Sequence, residues 1–204
     1  MVYGLVWTTG IGGFNLAGLS LDPGIRMSVP MTLAVLATLG MISGVIFTLG
    51  EEIGWRGFLV PELARVTHFT ETALISGAAW SVDTYPLSVF SDYHGAATKG
   101  FALVVFTWMV VASSFVYAWI RLKSGTAWTG VILHASHNLF IQHVFDPLTI
   151  DRGRTTYVTT EFGIGLALAY SIAALYFWRR RSELETRAAL ALPANIGRLL
   201  PAFG

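Results

Sequence analysis

Residues 27–59 read MSVPMTLAVLATLGMISGVIFTLGEEIGWRGFL, and this stretch carries the strongest structural signal in the chain. Its first 24 residues contain no charged side chain. About 20 apolar residues are enough for a helix to cross a bilayer, so we expect a membrane-spanning helix over 27–50. Glu51, Glu52 and Arg56 follow directly. Because ionisable side chains are costly in or near hydrocarbon, they are candidates for function. Alternatively, the helix ends here among lipid headgroups, where such charges cost little.

Composition places the whole chain in the membrane class. Hydrophobic residues make up 54% of its 204 residues and charged residues only 12%, whereas a soluble domain carries about 25% charged residues. The chain lacks the two-residue alternation that is typical of membrane β-barrels. We therefore predict an all-α fold, a polytopic transmembrane helical bundle of about six spans. The predicted spans are 1–21, 27–50, 72–91, 100–120, 124–145 and 162–178.

The same pattern predicts the domain organisation. We expect residues 1–181 to form one transmembrane domain and residues 182–204 to form a cytoplasmic tail that lies on the membrane surface. Lys and Arg are more numerous on the side of the basic run at 179–181, which the positive-inside rule assigns to the cytoplasm. An integral, multi-pass protein of the plasma membrane is the resulting prediction. Segment 1–21 lacks the basic flank of a cleavable signal, so it is either a first span or preceded by upstream helices.

Two kinds of chemistry are excluded by composition. The chain has no cysteine, which excludes disulfides and thiolate catalysis. Its net charge is +1, and no basic stripe follows a helix or a loop, so we expect no nucleic-acid partner.

The acidic motif predicts a division of roles. On a helix, Glu52 and Arg56 stand four residues apart with the acid first, the favoured order for an ion pair. Glu51 is rotated by about 100° from Glu52 and is free to face something else. We therefore expect Glu51 to act as a general base while Arg56 holds Glu52. Glycines at positions 50, 54 and 57 have the spacing that lets another helix approach closely.

A second polar cluster, His134-Ala135-Ser136-His137-Asn138, lies inside the fifth predicted span. His134 and Asn138 share one helix face and can both donate hydrogen bonds to a developing oxyanion. Two alternatives stay open: hydrogen bonds that only hold helices together, and a metal site that pairs His134 with His137. The motif His-Glu-x-x-His of zinc proteases is not present. We therefore predict no cofactor, with a divalent metal left open. Gln142 and His143 are expected at the membrane interface.

Together these motifs resemble a known family. Glu51-Glu52-x-x-x-Arg56, Trp80 and His134-x-x-x-Asn138 lie in that order on separate hydrophobic helices, as in the CPBP family of CAAX-protease and bacteriocin-processing (Abi) membrane endopeptidases. The resemblance implies a bundle whose core helices enclose a conical cavity. It also implies that water activated by Glu51 hydrolyses peptide bonds, with Glu52 and Arg56 as the supporting pair and His134 and Asn138 stabilising the oxyanion. We therefore expect these side chains to converge in one buried cavity.

The chain departs from the family at one position. The second family motif has a histidine four residues after its aromatic residue, where this chain has Thr84 after Trp80. Threonine cannot take up a proton near neutral pH, and the loss of an acid-base partner costs about 10²–10⁴ in rate. Asp83 and His94 are candidates to replace that histidine. Pro86 is expected to end or kink this helix.

Two functions are therefore predicted as alternatives. The first is a glutamic intramembrane endopeptidase, weakened by Thr84, whose partners are the lipid bilayer and hydrophobic or membrane-associated peptide or protein substrates. The second is a catalytically impaired relative that binds membrane peptides or scaffolds partners.

Overall fold

The structure is a computed structural model that describes residues 1–20, 27–91, 93 and 95–184. The described chain is predominantly helical, which confirms the predicted helical class. Its helices are α1 (Val2–Thr9), α2 (Val29–Val66), α3 (Phe69–Phe90), α4 (Lys99–Ser124), α5 (Trp128–Asn138) and α6 (Ile164–Arg179). Helix α5 continues without interruption as a π-helix over Leu139–Phe145. Two short strands, β1 (Gly13–Phe14) and β2 (Thr149–Ile150), pair antiparallel.

Helix α2 does not end at the acidic motif. It passes through Glu51 and Glu52 and continues to Val66, so the alternative of a helix ending among headgroups at that point is wrong. Immediately after the two acids the hydrogen bonding widens to a π-helix over Ile53–Leu59. Such π segments inside α-helices recur at functional sites. Pro61 lies two residues after this segment and lacks the amide hydrogen that a regular helical turn would use.

Helix α4 forms the centre of the bundle, and α2 lies at its edge. Helix α4 packs against α3 on one side and α6 on the other, while α2 packs mainly on α5. Most of the apolar surface of α2 is therefore left uncovered by protein, for example at Ile46 and Phe47, which are 67% and 78% exposed. Exposed apolar patches of this kind mark membrane or partner contacts.

Among the residues that the structure describes, two of the predicted spans are long and apolar enough to cross a bilayer as helices. These are α2 and α4, with mean hydropathies of 2.1 and 2.0, while α6 is apolar but shorter. Helix α3 continues through Pro86 to Phe90 and does not end at the proline. Whether the predicted spans 72–91, 124–145 and 162–178 cross a bilayer stays a prediction.

The predicted first span is wrong. Helix α1 has only 8 residues, about 12 Å at 1.5 Å per residue, against the roughly 30 Å of a hydrocarbon core. It ends because Gly10 adopts a left-handed conformation with φ of 76°. The chain then turns into β1, and the indole of Trp7 donates to Thr149 Oγ1 at 3.0 Å. The N-terminal segment therefore docks on the end of the bundle and does not form a membrane-spanning helix.

The C-terminal tail is described only at its beginning. Glu183 accepts a hydrogen bond from Lys123 at 2.9 Å and another from Arg180, which joins the end of α6 to the end of α4. Those two bonds lower the pKa of Glu183. Residues 185–204, most of the predicted tail, lie outside the described residues.

Close approach between helices occurs at other glycines than those predicted. A methyl group added to Gly50 or Gly54 would meet nothing within 4 Å. A methyl group on Gly77, in contrast, would lie 2.8 Å from the Cα atom of Val111 and 2.9 Å from Ser114 Oγ. Gly77 therefore allows α3 to pack directly on the backbone of α4.

We expect Gly77→Ala to destabilise the protein by about 1–3 kcal/mol, the usual cost of overpacking. Thermal unfolding in detergent would measure the loss. Gly100→Ala is the matched control, because Gly100 is also helical and a methyl group there has open space. Equal unfolding midpoints for the two variants would show that α3 and α4 do not approach each other this closely.

Candidate active site

A cavity of about 220 Å³ opens between the helices of the bundle. Three of the predicted site residues, Glu51, His134 and Asn138, line it together. They come from α2 and α5, although 83 positions separate Glu51 from His134 in the chain. Asp83 and Thr84 of α3 line it as well, and its apolar wall is formed by Trp80, Leu87, Phe106, Met109 and Val110.

The predicted ion pair is present and lies beside the cavity. Arg56 Nη1 donates to Glu52 Oε1 at 2.8 Å, and both side chains are buried, Glu52 to 0% exposure. Burying two charges is costly unless geometry and further hydrogen bonds offset the desolvation. A further bond comes from His134, whose Nδ1 atom lies 3.0 Å from the same carboxylate oxygen. The i, i+4 spacing predicted this pair, and the structure confirms it.

Two aromatic rings hold the Arg56 guanidinium in place. Its Cζ atom lies 4.2 Å from the centroid of Trp80 and 4.0 Å from that of Tyr117. Cation–π contacts of this kind are stronger when the cation is desolvated. Trp80, the aromatic residue of the second family motif, therefore has a structural role. It covers Arg56 and also contacts the ring of His134 edge-on, with ring centroids 5.2 Å apart.

Helix α5 comes close to the carboxylate because residue 130 is glycine. A methyl group on Gly130 would lie 2.6 Å from Glu52 Oε2 and 3.2 Å from Arg56 Cγ. Within the described part of the chain, this Oε2 atom is buried without a hydrogen-bond partner. The close approach of α5 is what brings His134 to Glu52.

Glu51 faces a different environment from Glu52. It lines the cavity and is exposed, whereas Glu52 is fully buried and does not line the cavity, so the expectation that all these side chains converge in one buried cavity is wrong for this pair of acids. The physical reason is the helical rotation between neighbouring residues: it turns Glu52 towards Arg56 and α5, and Glu51 towards the cavity. The Asn138 amide also lines the cavity and has no hydrogen-bond partner among the described residues.

The position of the missing histidine also faces the cavity. Thr84 lines it, but its hydroxyl donates to the backbone carbonyl of Trp80 at 3.1 Å. Asp83 lines the cavity as an exposed carboxylate. His94, the other candidate to replace that histidine, lies outside the described residues.

A second buried carboxylate, Glu161, was missed by the sequence analysis. It accepts hydrogen bonds from Tyr93 at 2.7 Å, from Gln142 at 2.9 Å and from His137 at 3.2 Å. Burial alone would raise the pKa of Glu161, but these donors and the nearby His137 ring lower it overall. The other ring nitrogen of His137 bonds to the Tyr170 hydroxyl at 2.9 Å.

The sequence contained one signal for this cluster. Glu161 is the single charged residue between Arg154 and Arg179 and directly precedes an apolar helix. Gln142 was expected at the interface, but it points to Glu161. The two histidines proposed as a metal pair bond to different carboxylates, His134 to Glu52 and His137 to Glu161. In the described ranges, no three acidic, His or Cys side chains are placed to share a metal ion.

Arg56→Ala should destabilise the protein by about 3–5 kcal/mol, because it leaves Glu52 buried without its charge partner. Glu52→Gln should cost less, because the glutamine carbonyl can still accept the hydrogen bond from Arg56 and the guanidinium keeps its contacts with Trp80 and Tyr117. Denaturant or thermal unfolding in detergent would measure both. Arg65→Ala is the matched control on the same helix, because its partner is Glu62 and the two side chains are 73% and 44% exposed; such pairs contribute about 0–1 kcal/mol. If Arg56→Ala unfolds like the control, the buried pair is not a structural requirement.

Comparison with known proteins now identifies the family. The family model described as type II CAAX prenyl endopeptidase Rce1-like matches residues 31–140, which is more than half of the chain. The match runs from α2 into the segment that follows α5 and includes all five predicted site residues. No curated protein and no solved structure matches the chain. The resemblance of the motifs is thereby confirmed, and the chain belongs to the type II CAAX prenyl endopeptidase Rce1-like family, a family of integral membrane proteases.

Proposed function

We propose that this protein is an intramembrane endopeptidase that hydrolyses peptide bonds of hydrophobic or membrane-associated substrates with water activated by Glu51. One observation carries the proposal: the exposed carboxylate of Glu51 shares a cavity with His134 and with the free amide of Asn138. A general base needs access to water and to the scissile bond. Glu52, buried and paired to Arg56, has neither.

The Glu52–Arg56 pair serves this reaction as a support. It holds His134 through a hydrogen bond and is itself held by Trp80 and Tyr117. Side chains whose rotamers are locked by packing and hydrogen bonds keep a reactive group in productive geometry. We therefore assign Glu52 and Arg56 as positioning residues.

Asn138 is our candidate for stabilising the oxyanion. Its amide can donate two hydrogen bonds, and among the described residues it has no other partner. A donor aimed at the developing negative charge is commonly worth about 10²–10³ in rate. The resemblance assigns the same task to its neighbour His134.

The substrate class follows from the cavity and its surroundings. Apolar and aromatic side chains form much of the wall, including Leu87, Phe106 and Met109. The helices outside present apolar surface that suits a bilayer. An extended hydrophobic peptide that reaches the cavity from the membrane fits this lining. We place the protein in the plasma membrane as a multi-pass protein, with the tail at 182–204 in the cytoplasm.

Thr84 favours the second predicted function, that of a catalytically impaired relative. Where an acid-base partner is expected, the chain has a hydroxyl bonded to its own helix backbone. A catalytically impaired relative would keep the cavity and bind hydrophobic peptides or scaffold partners without cleaving them. Binding without turnover of a hydrophobic peptide distinguishes this function from the protease.

Glu51→Gln should abolish cleavage of a hydrophobic peptide, because the amide cannot accept a proton from water. The assay is peptide cleavage by purified protein in detergent or liposomes, read by mass spectrometry. Glu62→Gln, on the same helix but outside the cavity, is the control and should cleave like wild type. Cleavage that persists in Glu51→Gln would remove this residue from the mechanism.

Thr84→His should raise cleavage by up to about 10²-fold, the low end for an acid-base partner. The gain should vanish in the double variant Thr84→His, Glu51→Gln, because the histidine acts only through the water that Glu51 activates. Rates measured over about pH 5 to 9 bracket the ordinary titration of imidazole, about 6.5. A gain that survives the loss of Glu51 would contradict the glutamate mechanism.

A further inference from the structure

The two histidines of α5 that line the cavity differ in the nitrogen that each leaves free. His137 has both ring nitrogens engaged, one by Glu161 and the other by Tyr170. His134 has only Nδ1 engaged, by Glu52. Within the described part of the chain, Nε2 of His134 has no hydrogen-bond partner, and the ring lines the cavity.

The bond to Glu52 determines where His134 carries its proton. An ionised carboxylate only accepts hydrogen bonds, so the hydrogen between the two groups belongs to Nδ1. Glu52 already has its counter-charge in Arg56 at 2.8 Å, so no second cation is needed to neutralise it. In a neutral imidazole with hydrogen on Nδ1, the other nitrogen carries a lone pair. Nε2 is then an acceptor and not a donor.

This arrangement is that of a carboxylate that orients a histidine base. A buried acid bonded to Nδ1–H holds the ring in one tautomer and leaves Nε2 ready to take a proton from a nucleophile. The ring of His134 is further restricted by Trp80, 5.2 Å away, and by Tyr117, 6.3 Å away, both edge-on. An oxyanion needs the opposite, a hydrogen on the nitrogen that faces it.

We propose that His134 is the proton-accepting partner of Glu51, filling the role for which the family motif expects a histidine at position 84. Glu52 is then its positioning residue, and oxyanion stabilisation is left to Asn138. The inference rests on the proposed hydrolysis and assigns one further catalytic role within it.

The reaction balances with these groups. As the water oxygen bonds to the carbonyl carbon, the C=O π electrons move onto the carbonyl oxygen, and one water proton passes to Glu51. The carbonyl then re-forms as the C–N bond breaks, and the leaving nitrogen takes the proton from Glu51. As this bond breaks, the remaining proton of the attacking water passes to His134 Nε2, so His134 acts in the bond-breaking step and the products are a carboxylate and an amine. The imidazolium finally releases this proton to water.

His134→Gln tests the assignment, because glutamine can still donate a hydrogen bond but cannot take up a proton. In the wild-type background we expect cleavage to fall by about 10²-fold or more. In the Thr84→His background the loss should be at least about tenfold smaller, because the new histidine supplies a second acceptor. His143→Gln is the control, since His143 follows α5, is exposed and lies outside the cavity lining. Equal losses in the two backgrounds, or near-normal rates for His134→Gln, would overturn the proposal.

A second measurement determines the tautomer of His134 and does not depend on peptide cleavage. The chain has 5 histidines, and ¹⁵N-histidine NMR in detergent micelles reports which ring nitrogen carries the hydrogen, with the His134 signals identified by their loss in His134→Gln. We expect the Nδ1–H form near neutral pH, shifting towards the Nε2–H form in Glu52→Gln. Finding Nε2–H in the wild-type protein would overturn the role of His134 alone. Absence of cleavage by both wild type and Thr84→His would instead overturn the proposed function itself.

Discussion

The site depends on one buried ion pair between Glu52 and Arg56. Neither charge is tolerable alone in a poorly hydrated interior, so each constrains the surroundings of the other. Arg56 lies between aromatic rings of α3 and α4, and Glu52 receives a histidine of α5. Four helices therefore meet at one salt bridge. The pair explains why Trp80 is aromatic and why residue 130 is glycine, since a larger residue there would collide with the carboxylate.

The two neighbouring glutamates of the site differ in their exposure to the cavity. Two donors reach one oxygen, Oε1, of the buried Glu52 carboxylate, while the neighbouring Glu51 is left open to the cavity. One helical step of about 100° separates the supporting acid from the acid proposed to react. In α2 the π-helical turns over Ile53–Leu59 follow these two acids directly, and the helix continues to Val66.

Glu161 organises the other side of the cavity. It joins a tyrosine of the connection between α3 and α4, a glutamine of the π-helical extension of α5 and His137 of α5 itself. The N-terminal segment packs next to this cluster: Tyr3 donates to Asp146 and accepts from the backbone N–H of Thr160, which precedes Glu161. Burial raises the pKa of Asp146 to about 6. Residues far apart in the chain thus hold the Glu161 side of the cavity in place.

The helical class, the Glu52–Arg56 pair and the candidates Glu51, His134 and Asn138 could be inferred from sequence alone, because local spacing on a helix sets which side chains share a face. The family resemblance rested on the same motifs. Other features required the tertiary structure. Whether segment 1–21 spans the membrane depended on Gly10 and on docking to β2, and the role of Glu161 depended on contacts between distant segments. The nitrogen that His134 leaves free followed only from its bond to Glu52, because hydrogen bonding between helices has no counterpart in local sequence pattern.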